Sequence, residues 1–290
     1  MGMSKDRLAA SAGVAAVAVA LSLAALKFWA LQATGSLTVA ASLADSAIDA
    51  VASMTGLAAI LYASKPADDD HAFGHASAED LAALGQSALI LVSAAAIAWR
   101  AVARLADPAP AALEAEGFGM AIMGVSVALT LGLLFWQRHV ARVTGSRVVA
   151  ADALHYVSDL LPNLGAIAAL AASRWYDLPW VDSVLGLVAA AILARGAAKI
   201  ARGAWDALMD RGADKATLAR LHDIAAHHPG MHGYHDLKTR TSGRRLFVQI
   251  HVELDGALSL REAHDIGAGL RHKMLDAFPD AEVIVHKDPA

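Results

Sequence analysis

Three stretches of this 290-residue chain carry no charged side chain for longer than a globular core helix would: residues 8–26 and 81–99, 19 positions each, and 117–137, 21 positions. A helix on the surface of a soluble protein sets charges against its apolar face, whereas one crossing a ~30 Å hydrocarbon layer needs roughly 20 residues nearly without them. These runs predict membrane-spanning helices. Three further stretches, 39–64, 148–173 and 178–195, reach the required length only if the charges inside the first two are accepted. The patterning therefore predicts six spans. The first run is longer than the apolar segment of a cleaved signal peptide and is followed by Lys27 and five more spans, so it is read as a retained helix.

With six spans both termini share a side of the membrane. Lys5, Arg7, Lys65, Arg138, Arg142, Arg147, Arg195, Lys199 and Arg202 fall on that side, against Lys27, Arg100, Arg104 and Arg174 opposite, nine to four. Cytoplasmic flanks carry the excess of Lys and Arg, so both termini are expected in the cytoplasm. From about residue 203 charges become frequent and the pattern changes. Asp214 to His227 has helical spacing and is stopped by Pro229 and Gly230. Residues 235–241 and 245–254, joined through Ser242 and Gly243, read as a hairpin. In its second strand Leu246, Val248, Ile250, Val252 and Leu254 alternate with Phe247, Gln249, His251 and Glu253. Ser259 caps a second helix, with Glu262 at the capping-box position, and 282–286 is a last strand. The expected class is a polytopic α-helical membrane protein of six helices (1–202) with a small α+β cytoplasmic domain of order α, β, β, α, β (203–290).

Composition narrows the chemistry. The chain has 13 histidines and no cysteine, which excludes a disulfide framework, a thiolate zinc site and an iron–sulfur cluster. Any metal must be held by nitrogen and oxygen. A net charge of −4 without a long basic run argues against nucleic acid as a partner.

The informative residues are the ionisable ones inside apolar spans, each costing about 2.5–3.5 kcal/mol at a helix centre on insertion scales. Asp45 and Asp49, at i and i+4, project from one face of the second span, and His155 and Asp159 do the same on the fifth. Adjacent carboxylates repel in a low dielectric unless a cation lies between them. If the two faces meet, three carboxylates and one imidazole converge, a set suited to zinc or a similar divalent ion. A polar helix-packing role is the bland alternative, and two such pairs in two spans weigh against it. Asp152, one turn before His155, is expected at the cytoplasmic mouth and stays unassigned. The loop from Asp68 to His75 clusters Asp and His at spacings that can close around one ion. Nine of the histidines lie after residue 209, more than a domain of this size ordinarily carries, which points to metal binding there; His222, His227, His228, His232 and His272 are read as surface residues. A membrane-embedded metallohydrolase is the alternative enzyme class, but no His-Glu-x-x-His occurs. A metal sensor would explain the late histidines but has no need of mid-membrane carboxylates.

Taken together, Leu43-Ala44-Asp45-Ser46 with Asp49, the run Lys65-Pro66-Ala67-Asp68-Asp69-Asp70-His71-Ala72-Phe73-Gly74-His75, His155 to Asp159, His235-Asp236-Leu237 and the ending Ile284-Val285-His286-Lys287-Asp288-Pro289 resemble the cation diffusion facilitators, most closely the bacterial YiiP-type zinc transporters. The resemblance covers essentially the whole chain. It implies a transport site of Asp45, Asp49, His155 and Asp159, a loop site of Asp68, His71 and His75, and a two-metal cytoplasmic site of His235, His251, His264, His286 and Asp288. It further implies a homodimer in the bacterial inner membrane, with a metallochaperone-like cytoplasmic fold, that is not an enzyme but exports Zn2+, with Cd2+ or Fe2+ as further cargo, in exchange for protons. Relatives of this type carry Lys at the position of Ser77, paired to an Asp after the sixth span, where this chain has Asp210. Imidazole must be neutral and carboxylate ionised to ligate, so protons and metal compete for the same groups, and alternating exposure of the site yields exchange. Pro162, three residues beyond Asp159, is expected to bend the fifth span.

Overall fold

In the computed structural model, which describes residues 4–34, 37–106, 117–176 and 180–290, the apolar runs become six helices longer than the runs themselves. They are α1 (Lys5–Thr34), α2 (Leu37–Ala63), α3 (Ser77–Ala106), α4 (Gly117–Thr144), α5 (Arg147–Tyr176) and α6 (Val181–Leu208). Among the described residues four helices are long and apolar enough to cross a membrane, within Lys5–Ala33, Ser42–Ala63, Ser77–Ala106 and Ser183–Leu208. The side chains of 117–123 and 162–176 lie outside the described residues, and the expected bend at Pro162 falls among them.

The chain divides into two compact units, Met1–Ala204 and Trp205–Ala290. In the first, the interior is built largely of small side chains. Ala9, Ala12, Ala83 and Ala204 pack with Ile60, Val140, Val148 and Val149 in one cluster, and Ala94, Ala153 and Ala197 with Ile90, Leu134, Val157, Leu160 and Leu193 in another. Small residues let helix backbones approach closely where lipid-like surroundings offer no hydrophobic drive to pack. At Gly13 the approach is tight: a Cβ there would stand 2.9 Å from Leu57 Cδ1. Arg147, at the start of α5, is paired with the buried carboxylate of Asp80 on α3.

The second unit carries α7 (Lys215–Ala226), β1 (Gly233–Ser242), β2 (Arg245–Leu254), α8 (Leu260–Ala277) and β3 (Ala281–Pro289). This is the expected order. Asp214 caps α7 by accepting from the amides of Ala216 and Thr217, and Ser259 and Glu262 form the anticipated capping box of α8. The sheet order is β1-β2-β3, antiparallel between β1 and β2 and parallel between β2 and β3. Val248, Ile250, Val252 and Leu254 form the helix-facing side and bury against Leu221, Ala225, Leu270 and Met274. The alternation therefore leaves Gln249, His251 and Glu253 on the face away from α7 and α8. Phe247, on that polar face by register, is nonetheless buried, with the Arg240 guanidinium 4.3 Å above its ring.

Candidate metal centres

α2 and α5 each contribute to the first cluster. His155 Nε2 donates to Asp49 Oδ1 at 3.0 Å, and the ligand atoms of Asp49, His155 and Asp159 all lie within 4.8 Å of one another. The i, i+4 spacing on α5 brings its imidazole and carboxylate to the same face, and the packing of α5 against α2 brings Asp49 to meet them. All three are half-buried. Asp45, the expected fourth ligand, is exposed one turn along α2 and outside this group. A carboxylate side chain is short, so two of them a full turn apart reach one point only if that point lies between the turns.

Directly beside the cluster lies a buried polar network. Asp152, one turn before His155, is 5% exposed and buried among the helices. Its carboxylate accepts from Gln137 Nε2 on α4 and from Ser53 Oγ on α2 at 3.4 Å. Ser53 Oγ is also 3.0 Å from the Tyr156 hydroxyl, which donates to the Ala16 carbonyl of α1 at 3.3 Å. Four helices are joined by these bonds. The sequence held a partial signal: Asp49 and Ser53 are i, i+4, and Asp152, His155 and Asp159 at i, i+3, i+7 share one face.

In the loop after α2 the three expected residues come together. Asp68 Oδ1 accepts from the His71 amide at 2.7 Å and lies 3.1 Å from His71 Nδ1, while Asp68 Oδ2 lies 3.3 Å from His75 Nε2. His75 Nδ1 donates to the Pro66 carbonyl at 3.2 Å, which leaves Nε2 as the ligating nitrogen. Gly74, with φ of 79°, supplies the left-handed turn that returns the chain to bring His75 beneath Asp68. The amide of His71 holds the Asp68 carboxyl below the usual carboxylate range, which favours the ionised form that a metal would need. Asp69 and Asp70 are exposed and outside the group.

On the open face of the sheet β1-β2-β3, register does what sequence spacing cannot. His235 pairs across from His251 on β2, and His251 from His286 on β3, so three imidazoles stand abreast on three strands. Ring centroids are 5.2 Å apart for the first pair and 4.6 Å for the second. Asp288 ties them together: its carboxylate is 3.0 Å from His251 Nδ1, 3.5 Å from His235 Nε2 and 3.1 Å from His286 Nε2. The bond from His251 holds Asp288 below the ordinary carboxylate range. Glu253, which spacing placed on the polar face without a role, accepts from His235 Nδ1 at 2.9 Å and so directs Nε2 into the cluster. A bulge between His235 and Lys238, with Asp236 at φ 51°, re-aims the end of β1. His264 does not join them. It is exposed on α8, and α8 packs on the other side of the sheet. His228, read as a surface residue, instead packs onto α8, with Nε2 donating to the Ile266 carbonyl at 3.0 Å. Asp210, at φ 53°, accepts from Arg240 Nη1 at 3.2 Å.

Residues 13–209 match the cation efflux transmembrane domain family, and 213–290 the cation efflux protein cytoplasmic domain. The cation-efflux pump FieF of Shewanella oneidensis is 43% identical over 277 residues, 95% of this chain and 92% of that protein. The protein of the same name from Salmonella arizonae is 37% identical over 289 residues, 100% and 95% of the two chains. Among solved structures, the metal-bound C-terminal domain of the CzcD transporter from Thermotoga maritima is 27% identical, covers 26% of this chain and 87% of its own, and has a TM-score of 0.25. With both family models matched in tandem and near-complete coverage of these relatives, the chain belongs to the cation diffusion facilitator family of multi-pass cation-efflux transporters, which is not an enzyme family.

Proposed function

We propose that the chain exports divalent metal ions across the bacterial inner membrane, zinc foremost and cadmium or iron(II) as further cargo, exchanging each for protons by alternating access. The observation that carries this reading is the convergence of Asp49, His155 and Asp159 from two helices of the bundle. In this reading residues 1–202 form six spans with both termini cytoplasmic, and 203–290 form the cytoplasmic metal-binding domain of a homodimer.

Nitrogen and oxygen ligands suit a site that must let go. An ion drawn between Asp45 and Asp49 gathers the fourth ligand from the adjacent turn of α2, completing the three-carboxylate, one-imidazole set. Protons arriving from the other side compete for the same ligand atoms and release the ion. The buried network through Asp152, Ser53, Gln137 and Tyr156 holds the α2 and α5 faces together during this exchange. Asp68, His71 and His75 take a second ion at the cytoplasmic surface. His235, His251, His286 and Asp288 take further ions, whose binding stabilises the dimer and so reports the internal metal level.

The test is zinc uptake into proteoliposomes whose interior is more acidic than the medium. Uptake should exceed that without the gradient and fall to background in Asp49→Ala. Equal uptake by the variant overturns the site, and indifference to the gradient overturns proton exchange.

A further inference from the structure

Sequence reading put Lys27 in the outer flank of the first span, yet α1 continues seven residues beyond it to Thr34. The side chain is half-buried and turned onto α2, where its Nζ donates to Ser46 Oγ at 2.6 Å and to the Ser42 carbonyl at 3.2 Å. The two helices run antiparallel, since Gly13 meets Leu57 near one end and Lys27 meets Ser42 and Ser46 near the other. Ser46 is 2% exposed, next to Asp45 and three residues before Asp49, so the ammonium is anchored within about 4.5 Å of helix rise from the level of Asp49.

A lysine in such a position has no packing rationale, because an ammonium is costly inside a bilayer and Leu or Met would fill the same space. It has an electrostatic one. Three carboxylates carry one negative charge more than a divalent ion supplies, and an ammonium anchored on α2 at Ser46, beside Asp45 in the chain, supplies the remaining positive charge. The same ammonium repels the ion it helps to balance, in surroundings where charges are weakly screened.

Resting on the transport reading above, we propose that Lys27 is a tethered counter-charge of the transport site, held by Ser46 and the Ser42 carbonyl, that weakens the grip on the bound cation and speeds its release. It is a positioning charge and not a ligand. An ion lodged among Asp45, Asp49, His155 and Asp159 meets it on the side facing the far end of α1, and the anchoring bonds keep the ammonium from folding into the site and occupying it.

The experiment uses the full chain in detergent and in proteoliposomes, in a background of His71→Ala with His251→Ala so that zinc binding reports the transport site. Titration with zinc at pH 8, where proton competition is least, is compared for Lys27→Gln, Lys27→Met and Lys27→Arg. Gln keeps a hydrogen bond to Ser46 while removing the charge, which protects the fold. We expect Gln and Met to bind zinc about tenfold or more tighter, and to transport with a lower KM and a lower kcat. Arg should stay near the parent in both. Binding within about twofold of the parent for Gln and Met, or equal disturbance by Arg, overturns the role of Lys27 while Asp49-dependent flux in the parent still stands. A parent without Asp49-dependent zinc binding overturns the transport reading and this one with it.

Discussion

The bundle and the sheet bring the same ligand types together by opposite means. In α2 and α5 the ligands repeat at i, i+4 along each helix, and only one contact between helices has to be right. In the cytoplasmic domain no two of His235, His251 and His286 are near in sequence, and they meet because three strands are held in register. The surrounding cores differ in the same way. Alanines dominate the bundle interior, where close approach of backbones does the packing, whereas Ile250, Leu270 and Met274 fill the sheet domain. The helical cluster is half-buried beside an internal hydrogen-bond network, and the sheet cluster faces solvent.

That contrast can be broken by comparing variants. The largest effect should be on transport: Asp49→Ala abolishes flux, while His251→Ala with His286→Ala keeps flux and lowers the mass of the assembly or its apparent metal affinity. If both transport and assembly are unchanged in the double variant, the cytoplasmic cluster has no sensing role. Next in size, Leu270→Ala should cost the sheet domain about 2–5 kcal/mol, read by denaturant unfolding of the full chain in detergent, because a fully buried leucine leaves a cavity. Loss of the cytoplasmic cluster's metal binding should accompany it, since the register depends on that core; Asp49-dependent binding should not change. The smallest effect concerns pH. Burial against α8 holds the His228 imidazole below its ordinary value, so the unfolded chain takes up the proton first. Stability of the sheet domain from this group is full above the unfolded value, about 6.5, and is lost as pH falls toward the folded one. Thermal melting between pH 7 and 5 should flatten in His228→Asn, and an unaltered slope would remove His228 from the account.

Much of the fold was legible because its signals are local. Uncharged runs mark the helices of the bundle, Asp214 and Ser259 mark helix starts, and alternation from 245 to 254 marks the central strand, all within one or two turns of chain. The meeting of Asp49, His155 and Asp159 was partly legible for the same reason, since His155 and Asp159 at i, i+4 share one face of α5, while Asp45 stays outside the group. Asp152 was harder to read. Its position on the ligand face is periodic, but its burial depends on Gln137 and Ser53, which lie 15 and 99 residues away. His264 shows the converse. Helix α8 packs against the apolar side of the sheet, so a histidine that belongs with the others by composition stands across the sheet from them.

The sequence by itself determined which residues can ligate, which helices carry them and in what order the domain is built, because hydrophobic periodicity and cap chemistry act over a few residues. Only the tertiary structure decided that Asp49 meets His155, that three histidines align across β1, β2 and β3, and that the Lys27 ammonium binds Ser46 and the Ser42 carbonyl of α2. Those outcomes rest on which surfaces pack together. Packing is settled by the fit of side chains far apart in the chain, and no window of sequence contains it.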